Sequence, residues 1–447
     1  MYQQIEAYLS QDIYPFHMPG HKRNRHFFPS NLERFDLTEI PGMDVLSAPA
    51  GILKDMQGAI ADFYGAGDSF FLVNGSSAGI VAAVCALCGE GAPLFVPRNA
   101  HVSVYNGMVL SGASPVYYMP EITADGLAGG VNPEVFDHMP EGATALVVSP
   151  TYEGFVSDIA SISARVRAKQ GVLIVDEAHG AHFPFHKSFP APALSQGADI
   201  VINSLHKTLP ALGQCAVLHI NGKSTHVDRE ILHFYVNSVQ TSSPSYILMT
   251  ASDYMLRVLW ENPSLFDEYI ARLADIRNGL PGAESAAPLR LSGRERVGED
   301  AIYNIDPGKL LFTLHTSQDA EAIAETMAKE YKIQMEMAKG RHILAMTSVA
   351  DTLEGFMRLN RAVGELNSAL PLKNALNNPP IPFALPEVAL SPREALRRPS
   401  KLVPQSEAIG KISAELITTY PPGIALVAPG ETLTQISPHH PPNIRVI

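Results

Sequence analysis

Between residues 69 and 220 the chain alternates short apolar runs with stretches of helical periodicity, and this alternation most restricts how it can fold. SFFLV (69–73) leads into a helix through VAAVCALC, APLFVP (92–97) into a helix after His101, and SPVYYM (114–119) follows. TALVVSP (144–150), a basic helix near ISARVRAKQ, GVLIVDEAHG (171–180), ADIVINSLHK (198–207) and CAVLHI (215–220) continue the pattern. Short runs joined through helices read as strands of a mostly parallel sheet, because parallel neighbours need a crossover connection. The expectation is an open, doubly wound α/β domain with ligands at the carboxyl ends of its strands.

A chain of 447 residues exceeds what one hydrophobic core supports, so smaller units are expected beside this domain. Residues 1–45 are predicted to be an extended arm, since Pro15, Pro19, Gly20, Pro29, Pro41 and Gly42 interrupt every helical pattern. The large domain is set at 46–290, beginning with the helix ILKDMQGAIADFYG, which stops at Gly65 and Gly67. LLFTLHT, AEAIAETMAKEYK, IQMEM, HILAMT and DTLEGFMRLNRAVGEL predict a small α+β domain over 291–370. The proline-rich text after residue 370 predicts a linker, and the strand-like runs beyond it a terminal subdomain, together 371–447.

A formal charge of −12 argues against a surface built for nucleic-acid backbones and suits a small cationic substrate. Three cysteines cannot form a disulfide framework, which fits a reducing compartment, so the cytoplasm is expected. The opening residues lack an apolar signal core, and no run is long enough to span a bilayer, so neither export nor a membrane span is expected.

Three segments carry candidate chemistry. In NGSSAG (74–79) a strand end, Gly75 and the hydroxyls of Ser76 and Ser77 precede a helix, a combination that seats an anion, although either serine could simply cap the helix. GVLIVDEAHG ends a buried strand in Asp176, Glu177 and His179; Asp176 could cap the following loop or pair with a cation such as a protonated ring nitrogen. ADIVINSLHKTL delivers Ser204, His206 and Lys207 to the same rim, where Lys207 is either a solvated helix-start residue or an amine able to attack a carbonyl. Their conjunction decides between these readings. A phosphorylated pyridine aldehyde needs an anion seat, a carboxylate for its ring nitrogen and an amine for its aldehyde.

With HMPGHK (17–22), FFLVNGSSAG (70–79), VPRNAHVSV (96–104), VVSPTYEGFVSDI (147–159), VDEAHGAHF (175–183), SLHKTLPALGQCAVLH (204–219), TSSPSY (241–246) and SAELITTYPPGIALVAPGE (413–431), the chain resembles the ornithine/lysine/arginine decarboxylase family. That resemblance covers nearly the whole chain. It implies the fold type I architecture of pyridoxal-phosphate enzymes and decarboxylation of a basic amino acid. It further implies that Lys207 holds pyridoxal 5'-phosphate as a Schiff base and that Asp176 pairs with the pyridinium nitrogen. By the same likeness, Gly75, Ser76, Ser77, Ser204 and His206 would surround the phosphate. His101 would stack on the outer ring face, Ala178 would pack beneath it and His179 would lie near the ring substituents. Thr241 would complete the phosphate site of a neighbouring subunit, making the active unit a homodimer. Leu205 departs from the pattern, standing where the family often has threonine. The chain is similar to the short members without an N-terminal wing domain, so decameric rings are not expected.

Competing functions are an aminotransferase or aldolase on the same fold, or a non-catalytic regulator that binds the cofactor. The proton for the α-carbon would come from Lys207 or His206. A carboxylate is needed for the substrate's distal cation, with Glu336, Glu415 and Glu431 as candidates. Cys85 and Cys88 form a C-x-x-C within an apolar helix and are assigned to packing. No metal is expected at His179, His182 and His186, because phenylalanines and Pro184 break any helix that would align them. His439 and His440 are expected to be solvent-exposed.

Overall fold

The structure, a computed structural model, describes residues 1–373, 385, 387–419, 423–434 and 441–447. The core of the proline-rich segment, with His439 and His440, lies outside the described residues.

Seven strands form the central sheet: β1 (Asp68–Leu72), β2 (Pro93–Pro97), β3 (Ser114–Tyr118), β4 (Thr144–Val148), β5 (Val172–Asp176), β6 (Ile200–Ser204) and β7 (Ala216–Ile220). Their spatial order is β1-β7-β6-β5-β4-β2-β3. Only β7 runs against the rest of this sheet, pairing antiparallel with β6 and β1. The sheet is therefore mixed but mostly parallel, as the sequence predicts.

Strands β5, β6 and β7 are buried along their whole length, which explains their unbroken apolar text. Successive residues turn to opposite faces: Val147, Val175 and Val201 join one apolar cluster, while Leu146, Ile174 and Ile202 join another. Two separate cores on the two faces are what a doubly wound sheet requires. Each such side chain contributes roughly 1.5–3 kcal/mol through burial. Helix Gly75–Leu87 lies in the second core, and Gly107 lets helix Val102–Ser111 approach it, since a Cβ there would be 2.9 Å from Val84.

The smaller domain is a four-stranded antiparallel sheet of β8 (Leu289–Leu291), β9 (Lys309–Leu314), β10 (Met337–Lys339) and β11 (His342–Met346), ordered β8-β9-β11-β10. Helices Ala320–Glu330 and Leu353–Ala369 accompany it. Its first strand begins at Leu289, slightly before the boundary expected at residue 291.

The N-terminal arm differs from expectation at its start, where Tyr2–Leu9 is helical. The first proline comes only at Pro15, so nothing breaks this turn-forming text. Beyond it the arm holds one short strand and two single helical turns, Arg25–Phe27 and Leu32–Phe35, and is tied to both domains. Tyr14–Phe16 pairs parallel with Ile333–Met335, and the Gly20 amide donates to the His206 carbonyl at 2.8 Å.

The terminal unit pairs Lys401–Pro404 with Asn443–Val446 around Val403, Ile417, Val427, Ile444 and Val446. Glu431 joins it to the large domain through a buried ion pair with Arg98, at 2.6 and 3.3 Å.

Candidate active site

The carboxyl ends of β4, β5 and β6 open into a cavity of about 350 Å³. Gly75, Ser76, Ser77, His101, Asp176, Ala178, His179, His206 and Lys207 all line it, so most of the residues singled out in the sequence meet there.

The anion seat is built by the turn from β1 into helix Gly75–Leu87. Gly75 starts that helix at φ +77, a left-handed conformation that a side chain would strain. The first backbone N–H groups of the helix have no partner within it and carry the positive end of its dipole. Ser204, at the end of β6, donates to Ser76 Oγ at 2.7 Å, joining the two loops without itself lining the cavity.

Asp176 ends β5, is buried, and accepts from the Ala178 amide at 3.2 Å. His101 caps helix Val102–Ser111: its Nδ1 accepts from the Ser103 amide at 3.2 Å and lies 2.9 Å from Ser103 Oγ. The terminal unit braces this histidine, because the Val102 amide donates to the Gly423 carbonyl at 3.0 Å and His101 forms a bridge with Ile424. Burial lowers the His101 pKa, Lys207 adding to the effect and Asp176 opposing it. His206 Nδ1 lies 3.0 Å from the Cys215 carbonyl, which fixes that nitrogen as the donor.

Lys207 stands in the short helix Leu205–Thr208, its amine 3.1 Å from His179 Nε2. Burial holds this amine below the ordinary lysine range, opposed by Asp176 and Glu336. The other imidazole nitrogen, Nδ1, lies 2.8 Å from the amine of Lys309, a buried residue of β9. Burial pushes Lys309 down to about 8, and His179 falls well below its usual value through burial and the adjacent lysines.

Of the three carboxylates considered for a distal cation, only Glu336 lines the cavity. It accepts from the Tyr152 hydroxyl at 2.8 Å and from the Met18 amide at 2.9 Å. Glu431 is committed to Arg98, and Glu415 accepts from the Arg445 amide at 2.7 Å. Thr241 does not line the cavity in this chain; it is exposed, and its hydroxyl accepts from the Ser243 amide at 3.2 Å. Leu205 is fully buried in the core, so a threonine's hydroxyl is replaced there by apolar packing.

Met18, Tyr152, Glu153 and Lys309 were not singled out for the site. Tyr152 and Glu153 lie in a motif that carried no assigned role, whereas a lysine opening the apolar strand KLLFTL was a usable signal for Lys309. Cys88 packs in the core, where burial raises its thiol to about 11. His182 pairs with Asp306 at 3.1 Å and His186 with Asp267 at 3.2 Å.

Residues 1–326 match the family profile described as "Orn/Lys/Arg decarboxylase, major domain", and residues 374–440 match "Orn/Lys/Arg decarboxylase, C-terminal domain". The chain is 32% identical to an arginine decarboxylase of Bacillus anthracis, with 94% of this chain and 87% of the relative covered. It is 31% identical to an arginine decarboxylase of Bacillus subtilis, covering 97% and 91%. Among solved structures, the constitutive lysine decarboxylase of E. coli superposes with a TM-score of 0.76 at 19% identity, over 92% of this chain and 70% of that one. The pyridoxamine-pyruvate aminotransferase of Mesorhizobium loti superposes at 0.58 and 14% identity, over 80% and 92%. These likenesses show the fold, that of pyridoxal-phosphate enzymes of fold type I.

Proposed function

The chain belongs to the Orn/Lys/Arg decarboxylase family, and from that premise we propose that it removes the α-carboxylate of a basic amino acid as CO₂, using pyridoxal 5'-phosphate held at Lys207. The observation that carries this reading is the convergence, in one cavity, of a half-buried amine, a buried strand-end carboxylate and a helix N-terminus rich in hydroxyls. That donor set fits the cofactor: Lys207 for its aldehyde, Asp176 for its ring nitrogen, and Gly75, Ser76, Ser77 and His206 for its phosphate, with Ser204 behind them holding Ser76. When bound, the cofactor supplies an electron sink for the pair left behind by CO₂.

The chain's own residues supply the rest. Asp176, a buried acceptor, favours a proton on the group it faces. His101, fixed by Ser103 and braced from Gly423, covers one wall of the cavity, with Ala178 at another. His179 stands against the Lys207 amine. The α-carbon must gain a proton, which Lys207 as an ammonium, or His206 once protonated, would give. Glu336 offers a carboxylate to the distal cation of arginine, lysine or ornithine, its rotamer held by Tyr152 and Met18.

The active unit in this reading is a homodimer, with Thr241 reaching the partner's phosphate seat, and the compartment is the cytoplasm. No helix among the described residues is long and apolar enough to cross a membrane. Purified protein given arginine, lysine and ornithine with the cofactor should release CO₂ and one amine from at least one of them. Transfer of the amino group to a keto acid without CO₂ would sink the reading in favour of an aminotransferase.

A further inference from the structure

His179 stands between two lysine amines, 3.1 Å from Lys207 Nζ through Nε2 and 2.8 Å from Lys309 Nζ through Nδ1. The ring is neutral, because burial and the surrounding cations oppose its protonation. A neutral imidazole donates through one nitrogen and accepts through the other. Its two lysine partners therefore cannot both be ammonium groups facing the ring: one gives a proton to it and the other receives one.

We propose that Lys309, His179 and Lys207 form a proton relay that lets the small domain deliver a proton to the reacting amine. In one state the Lys309 ammonium donates to Nδ1, and Nε2–H donates to the free amine of Lys207. In the other, the Lys309 N–H bond has broken as one forms at Nδ1, and the Nε2–H bond has broken as one forms at Lys207. Two protons move, the charge passes from Lys309 to Lys207, and no oxidant or further reactant is needed. The free amine is the form that attacks a carbonyl, and the ammonium is the form that can protonate carbon, so the relay would serve both halves of a turnover.

The surroundings suit a poised pair. Asp306, Glu336, Glu153 and Lys207 act on Lys309, Asp176 and Glu336 act on Lys207, and His101 and His206 also act on His179. Lys309 projects from β9 past Gly154, which at φ +100 leaves it room: a Cβ there would lie 2.6 Å from Lys309 Cγ. Its ammonium lies 5.7 Å from the centre of the Tyr152 ring. Decarboxylation consumes one proton per turnover, so a delivery path deepens the function proposed above and rests on Lys207 as the reacting amine.

The test begins without cofactor. Limiting formaldehyde and a mild hydride reagent methylate Lys207 in proportion to its free amine, read by peptide mass spectrometry across pH. In Lys309→Met the midpoint should rise by about one pH unit, a tenfold gain in proton affinity, since a nearby cation is removed and Nε2 becomes an acceptor. An unchanged midpoint overturns the proposal. With cofactor and substrate, Lys309→Arg keeps the charge but cannot release a proton. Its kcat should fall about 100-fold with KM unchanged, and the curved dependence of rate on deuterium fraction should become linear. Wild-type kcat and curvature in Lys309→Arg overturn the relay. His179→Gln combined with Lys309→Met should be no slower than His179→Gln alone, and additive losses would likewise overturn it. If no decarboxylation is seen in any protein, the proposed function fails, while the methylation result still judges the pairing of the amines.

Discussion

Glu336→Gln separates recognition of the substrate's side chain from the chemistry at its α-carbon. The glutamate enters the cavity from the turn between Ile333–Met335 and β10, and its two oxygens already accept from Tyr152 and Met18. Glutamine keeps the shape and one of these acceptors, so the fold should hold while the charge is lost. A hydrogen bond to a charged group contributes about 1.5–3 kcal/mol, and each 1.4 kcal/mol is tenfold, so kcat/KM for a cationic substrate should fall about 10- to 150-fold. The loss should appear mainly in KM, because the distal cation is equally charged before and after CO₂ leaves. The assay is initial-rate CO₂ release with arginine, lysine and ornithine, and with a neutral amino acid of similar length as control. The neutral substrate should be affected far less. Equal losses for cationic and neutral substrates would show that Glu336 holds up the cavity wall instead of reading the side chain.

Lys207→Ala should abolish turnover and the visible absorbance of bound cofactor while circular dichroism stays unchanged; a cofactor adduct that survives hydride reduction would refute its role. Asp176→Asn should retain some cofactor yet lower kcat, and an unchanged rate would remove the carboxylate from the chemistry. Gly20→Ala should cost roughly 1–3 kcal/mol in denaturant melts, because the added Cβ would lie 2.7 Å from the Leu209 carbonyl oxygen and 3.0 Å from that of Lys207. Both obstacles are backbone, so a melt like that of wild type would show the arm free to withdraw. Burial raises Glu177 from the ordinary 4.5 to about 8, so the fold favours its protonated form. Its contribution to stability is thus complete below about 4.5 and lost as pH rises towards 8, so melts of wild type and of Glu177→Gln, its neutral isostere, should agree at low pH and separate over that window as wild type weakens. A gap independent of pH would refute the shift.

The strands and the Lys207 rim were legible because burial on both faces leaves an unbroken apolar mark, and because Asp176, Ser204 and Lys207 fall at or just past strand ends. The helical start of the arm leaves no comparable mark, because the density of prolines from Pro15 onward dominates a text whose first residues contain none. The choice among Glu336, Glu415 and Glu431 could not be made from a single sequence. It depends on partners far along the chain: Arg98 takes Glu431 out of play from 333 residues away, while Tyr152 holds Glu336 across 184.

Lys309 escaped for a related reason that also explains how the cavity is assembled. A lysine at the edge of an apolar strand is ordinarily a solvated end, and only the packing of β9 against the β5 loop turns it inward on His179. The same dependence holds at each wall of the site. Met18 comes from the arm, His101 is braced by Gly423 of the terminal unit, and Glu336 comes from the small domain, which also sets Lys309 behind His179. The large domain alone supplies the groups suited to holding a cofactor, but not Glu336 or the second amine. A fragment lacking the small domain would keep Lys207 and Asp176 and lose Glu336 and Lys309. On the reading proposed above, substrate choice would be a property of domain packing, whereas the capacity for cofactor chemistry would be local to the strand ends.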